Sequence, residues 1–166
     1  MCKDRLRKQA AGLGNQMFIN QEEAVPSVSR TVHIEAPVER VWQVATDVER
    51  WPEWASYMRS LVPQDEGPLR LGSRVRVTPK GMPGSVWTVT EFDEGRSYTW
   101  ETSLAPGLRL AGGHVIEADG AGTSATFSLA TVGPLGVALG PALGLVFRRN
   151  TRLATDGLKA RCEAAA

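Results

Sequence analysis

The chain has 166 residues, 42% of them apolar, with 19 basic against 18 acidic side chains and a formal net charge of +1. One domain of this size buries about two-thirds of the surface its unfolded chain exposes and needs no disulfide or metal staple. The near-neutral charge argues against the overall basic footprint that nucleic acid or an anionic membrane demands, and Cys2 and Cys162, near opposite ends, form neither a disulfide framework nor a metal-ligand spacing, which suits a reducing compartment.

Residues 1–28 form a leader of different character. Lys3, Arg5, Arg7 and Lys8 cluster there, while Leu6, Ala10, Leu13 and Met17 recur at helical spacing, so the leader reads either as a short helix or as a flexible tail. Whether Met17 is the native start is open. No apolar signal segment follows the charged beginning. The most apolar run, residues 135–147, is too short to span a bilayer and contains Pro141, so the expectation is a soluble, cytoplasmic protein without stable membrane insertion.

Regular patterning begins at Ser29 and defines a domain over 29–166. Thr31–Glu35 alternates as a short strand, and Ala36-Pro37 then switches the chain into a helix, proline being suited to a first helical turn. Val38, Val41, Trp42 and Ala45 give that helix one apolar stripe, with Trp42 expected in the core. Asp47 is placed to cap a second short helical turn, ended by Pro52 and the loop after Trp54. Turn signals then mark off six strands near 58–64, 72–78, 84–93, 96–104, 107–118 and 122–132. The fifth of these, roughly 40 Å long at about 3.3 Å per residue, is expected to bulge or bend at Gly112-Gly113. After Gly133-Pro134 a long helix follows, with Leu139, Ala142, Leu143, Val146, Asn150, Leu153 and Gly157 on one face and a kink or restart at Pro141. Gly136, Gly140 and Gly144 leave one side of its first half bare, for close backbone approach or for empty room.

The stretches TVHIEAPVERVWQVATDVERWPEW (31–54), LGSRVRV (71–77), VWTVTEFDEGRSYTW (86–100), His114 within GGHVIEAD, and LKARCEA (158–164) resemble the START-like, or SRPBCC, superfamily, which includes pollen-allergen-type proteins and polyketide cyclase/dehydrases. The resemblance runs over about residues 29–165 and implies an α+β helix-grip fold. In it a seven-stranded curved antiparallel sheet wraps a long C-terminal helix, two short helices follow the first strand, and a cavity for an apolar molecule lies between sheet and helix. The leader has no counterpart in that pattern.

Within that fold, strand parity turns Leu108, Leu110, Gly112, His114 and Ile116 inward, along with Ala125, Phe127 and Leu129, and groups Tyr98, Trp100 and Leu104 on one face and Trp87 with Val89. The ligand-binding set expected is Trp54, Trp87, Trp100, Leu110, His114, Phe127, Leu139, Leu143 and Phe147, lining several hundred Å³, with Trp54 either at the mouth or in the core. His114 is the candidate catalytic residue, because imidazole donates and accepts near neutral pH; the alternative is a buried histidine satisfied by a neighbour. His33, the Glu91/Asp93/Glu94 turn and the Arg148/Arg149/Arg152 run read as solvated faces. No phosphate loop, metal-ligand cluster or nucleophile elbow is found, so neither metal nor cofactor is expected.

The function expected is binding or transport of a small hydrophobic molecule: a lipid, a polyketide or an aromatic metabolite. Two alternatives stand beside it. One is an aromatase/cyclase-type enzyme using His114 as acid/base, and the other a regulatory or interaction protein of a small gene pair. The partner expected is a small hydrophobic molecule and not nucleic acid, with a homodimer left open.

Overall fold

The computed structural model describes residues 27–164, so the helix considered for residues 1–26 and the question of Met17 lie outside the described residues. The elements in chain order are β1 (Ser27–Ile34), α1 (Val38–Thr46), a 3-10 turn (Val48–Glu53), β2 (Met58–Pro63), β3 (Arg74–Pro79), β4 (Ser85–Asp93), β5 (Ser97–Ala105), β6 (Leu108–Asp119), β7 (Gly122–Val132) and α2 (Pro134–Glu163). The six strands after the helices fall within two residues of the expected limits, because each is bounded by a Gly, Pro or Asp turn that stops an alternating run. With β1 they form one seven-stranded curved antiparallel sheet in the order β1-β7-β6-β5-β4-β3-β2, with α2 lying across it. This is the helix-grip arrangement.

Four expectations need correction. The first strand starts at Ser27, not Thr31, two residues inside the expected leader; Ser27–Thr31 carries one apolar residue, Val28, and is held by pairing with β7 and not by burial. Pro37 occupies the N-cap, with ψ of 148°, and not the first helical turn, and Asp47 sits between the two helical segments without capping either through its side chain. Gly112-Gly113 carries no bulge: both residues pair in unbroken register with β5 and with β7, and the irregularities fall at Met58/Ser60, Val89/Glu91 and Ser103/Ala105. Gly112 instead makes room, since a Cβ there would stand 2.6 Å from Trp100 Nε1.

The fourth correction concerns α2. It runs through Pro141 as one continuous helix, about 45 Å long at 1.5 Å per residue, with no restart. Its buried residues are Gly136, Gly140, Phe147, Thr151, Ala154, Thr155, Leu158 and Cys162, so the inward face is displaced by one residue, about 100° of rotation, from the expected stripe. Leu139 and Ala142 consequently face solvent, and Val146, also exposed, stands at the rim of the cavity between sheet and helix. The C-terminal half is fastened to β1. Arg30 pairs with Asp156 at 2.8 Å and donates to Thr155 Oγ1 at 2.9 Å, Lys159 donates to the His33 carbonyl at 2.7 Å, and Glu163 accepts the Glu35 N–H at 2.8 Å.

Two glycines of α2 serve opposite ends of this packing. A Cβ at Gly157 would overlap the carbonyl of Trp54, whereas one at Gly144 would meet nothing within 4 Å. Gly157→Ala is therefore expected to destabilise the fold by about 1–3 kcal/mol, overpacking outweighing the gain in helix propensity. Gly144→Ala should be neutral or stabilising by up to about 1 kcal/mol. Urea-unfolding midpoints of the two variants check the contrast, and a Gly157→Ala protein as stable as the parent would contradict the close approach.

Candidate functional site

The last turn of α1 leaves carbonyls without intrahelical partners. One of them, at Ala45, accepts two hydrogen bonds from buried aromatic side chains: Trp51 Nε1–H at 3.0 Å and Tyr98 O–H at 3.0 Å. This links α1, the 3-10 turn and β5 at a single oxygen. Trp51, only 1% exposed, then packs at 5.0–6.1 Å between ring centroids against Trp54, Trp100, His114 and Phe127.

His114 sits inside this cluster, opposite Tyr98 on β5 and Phe127 on β7 in the sheet register. Tyr98 stacks on it at 4.3 Å and 15°, Phe127 meets it edge-on at 4.4 Å and 80°, and Trp51 and Trp100 stand at 5.5 Å each. Its Nδ1 is buried with no partner of good hydrogen-bond geometry, while the ring has a backbone hydrogen bond to Tyr98, so the expectation of a buried histidine satisfied by a neighbour holds in part. Burial in this apolar shell drives the imidazole pKa down to about 3, and the ring is neutral near pH 7.

On the open side of the cluster lies a cavity of about 180 Å³ between the sheet and α2. Of the expected set, Trp87, Trp100, Leu110, His114, Phe127, Leu143 and Phe147 line it. Trp54 and Leu139 do not. Trp54 is packed under Gly157 of α2 and lines a different cleft with Arg40, Arg50 and Arg161, its Nε1 also buried without a partner; Leu139 is 40% exposed because the inward face of α2 lies one residue further on. The volume is smaller than the several hundred Å³ expected, because Trp51, Trp87 and Trp100 fill space that parity alone assigns to a ligand. Trp42 is half-buried: it packs against the core, leaning on Phe92 and Tyr98, and its other side lines a separate surface groove.

Sequence reasoning missed the side of the cavity built by β2, β3 and the turn after it: Tyr57, Met58, Val77, Met82 and Pro83. The turn was read only as a break between strands, although Met82-Pro83 is an apolar pair where turns are polar. It also missed Thr151 and Ala154, which follow Phe147 at four and seven residues and which that spacing, carried on to Leu158, would have revealed. Polar groups on the lining are few. Thr151 Oγ1 donates to the Phe147 carbonyl at 2.7 Å, Ser85 Oγ accepts from Trp87 Nε1 at 3.0 Å, and burial pushes the Tyr57 hydroxyl pKa up, which keeps it protonated. Among the described residues no group of three or more His, Cys, Asp or Glu could hold a metal.

With this geometry in hand, comparison with known proteins is informative. Residues 25–163 match the family model described as polyketide cyclase / dehydrase and lipid transport. No curated protein matches the chain. Among solved structures, a hypothetical protein from Helicobacter pylori is similar at TM-score 0.73 and 18% identity, covering 86% of this chain and 91% of that one. A START superfamily protein from Mycobacterium smegmatis is similar at TM-score 0.68 and 18% identity, covering 84% and 99%. The di-domain ARO/CYC BexL of the BE-7585A biosynthetic pathway is similar at 0.67 and 20%, covering 97% of this chain and 58% of that one. These likenesses are of fold.

The buried imidazole makes stability depend on acid. The unfolded chain protonates His114 near its ordinary 6.5, whereas the folded protein does so only near 3, so between those values the unfolded state binds more protons and stability falls as pH falls. The His114 contribution approaches about 1.4 kcal/mol per pH unit in that window and vanishes above it. Urea midpoints measured from pH 7 down to pH 4 should therefore fall more steeply for the parent than for His114→Leu; parallel curves would place a compensating partner at the ring.

Proposed function

We propose that this chain, which belongs to the polyketide cyclase/dehydrase and lipid-transport family, binds a small apolar molecule in the cavity between its sheet and α2. The observation that supports the reading best is the combination of aromatic walls with one buried unpartnered nitrogen, His114 Nδ1, in the ring cluster at the cavity wall. Volume narrows the ligand. A cavity of about 150 Å³ admits benzene, so about 180 Å³ suits one substituted aromatic ring or the end of a short apolar chain, with the remainder of a longer ligand at the mouth. A phenol or carbonyl on such a ring would be the natural partner for the free imidazole nitrogen once the cluster relaxes to admit it.

The enzyme alternative uses the same cavity. It is weakened by the pKa of about 3, which leaves His114 a poor proton donor at neutral pH, since imidazolium is almost absent, and a weak base. Binding without chemistry fits a neutral, caged imidazole better. We place the protein in the cytoplasm on its cysteine usage: Cys162 is free and buried, and burial pushes its thiol up to about 11, away from the reactive thiolate. The ligand-binding domain of this proposal includes all the elements from β1 to the end of α2.

Native mass spectrometry of protein purified without detergent, followed by solvent extraction, tests the proposal directly, and a stoichiometric apolar compound is the expected result. With fluorescent naphthalene-type probes, Leu143→Trp should fill the cavity and weaken binding about tenfold or more, the equivalent of roughly 1.4 kcal/mol. His114→Leu should hold affinity for the pure hydrocarbon but lower it about tenfold for a naphthol. Failure of every such probe to bind, with no compound extracted, would remove the ligand-binding reading.

A further inference from the structure

The first half of α2 is at odds with its surroundings. From Pro134 to Phe147 the chain carries no charged, hydroxyl or amide side chain on any face, yet Leu135, Val137, Leu139, Leu145 and Val146 are each at least 40% exposed. A helix bordering water normally presents a polar face there. Leu104 and Met82, 46% and 55% exposed, stand by the mouth of the cavity, which Val146 also lines, so the apolar patch is continuous with that mouth. Patches of this kind mark interaction surfaces. Arg148, Arg149 and Arg152 follow at once along the helix, all exposed, and none forms an ion pair among the described residues. The net charge of +1 hides this local concentration.

We propose that this half of α2, with Met82 and Leu104, docks on the surface of an anionic lipid bilayer, its apolar side chains among the acyl chains and the three arginines at the headgroups. Exposed apolar side chains next to unpaired basic ones combine the two contributions that hold a helix at an anionic interface, buried apolar area and attraction to the headgroups. The helix does not cross: its uncharged part is about 20 Å long against a hydrocarbon core of about 30 Å, and no helix among the described residues is long and apolar enough to span. Charge also decides between occupants. Anionic headgroups neutralise three exposed arginines that have no ion-pair partner among the described residues, whereas an apolar patch on a second copy offers them no counter-charge. Docking in this orientation turns the cavity mouth toward the lipid. The inference stands apart from cavity occupancy, since the surface would dock with the cavity empty.

Flotation of the full chain with vesicles tests it. Binding is expected to equimolar phosphatidylcholine and phosphatidylglycerol, to be weak on phosphatidylcholine alone, and to diminish as salt rises. Leu145 is 75% exposed, so Leu145→Glu should leave the urea midpoint and probe uptake unchanged while cutting vesicle binding about tenfold or more. The double variant Arg148→Glu/Arg149→Glu should do the same on anionic vesicles, at roughly fivefold per arginine. Leu71→Glu, at an exposed leucine in the loop before β3, is the control and should bind as the parent does. The basic cluster of the first eight residues is present in every variant, so the differences report α2 alone. Absence of flotation, or undiminished binding by Leu145→Glu, would overturn the proposal. So would a dimer that Leu145→Glu dissociates, which would assign the patch to a second copy. Probe uptake without vesicles is read separately: its failure sinks the cavity reading and leaves the docking result standing.

Discussion

The rest of the structure depends on the carbonyl of Ala45. A buried helix end with an unsatisfied oxygen costs about 1–3 kcal/mol, and here two aromatic donors, Trp51 and Tyr98, meet the same oxygen. The bond at Trp51 Nε1 lies off the rotation axis of the indole and fixes its turn, whereas the Tyr98 oxygen lies on its ring's axis, so the face of Tyr98 is set by packing. Tyr98 stacks on His114, and Trp51 fills the space between Trp54, Trp100 and Phe127. Each ring pair adds about 0.5–1.5 kcal/mol beyond its buried area, and several share a member, so the cluster responds as a unit. The inner wall of the cavity is thus its more tightly packed side, and the exposed side lies around Met82, Leu104 and the first half of α2.

The two buried nitrogens without partners belong to different circumstances. Trp54 Nε1 lies where α2 comes closest to the loop after the 3-10 turn, at Gly157, and its lost hydrogen bond accompanies tight packing. His114 Nδ1 lies within the ring cluster bordering the cavity, where neutrality is enforced by the absence of any nearby carboxylate and by four aromatic neighbours. Burial disfavours a charged imidazole there, and the backbone hydrogen bond to Tyr98 only partly offsets it.

Legibility from sequence followed the strength of each signal. Strands bounded by Gly, Pro or Asp turns were readable to within two residues, and parity placed Leu110, His114 and Phe127 on the cavity correctly, because β6 and β7 pair without a register shift. β1 was truncated because a strand held by its partner's backbone needs no apolar alternation of its own. The stripe on α2 was misplaced because its first half is apolar all round, so several helical faces fit equally well; the polar residues that would have fixed the rotation appear only after Phe147. Trp54 was ambiguous for a similar reason, since its side depends on an approach by Gly157, about a hundred residues later, that no local pattern encodes.

The pairing of β1 with β7 has a consequence for biosynthesis. Ser27 and Ala130 are partners across the sheet, so the first strand leaves the ribosome with no place to bind until nearly the whole domain has been made. β2 to β7 can assemble hairpin by hairpin in the meantime, each turn closing a short loop, while β1 waits with its backbone donors and acceptors open. Closure of the longest loop, and docking of α2 through Arg30 and Lys159, come together at the end of synthesis. The late strand is hydrophilic as well as late: with Ser27, Ser29, Arg30 and Thr31 it presents little for a neighbouring nascent chain to seize, so the same polarity that hid it from sequence reading protects it from aggregation during the wait.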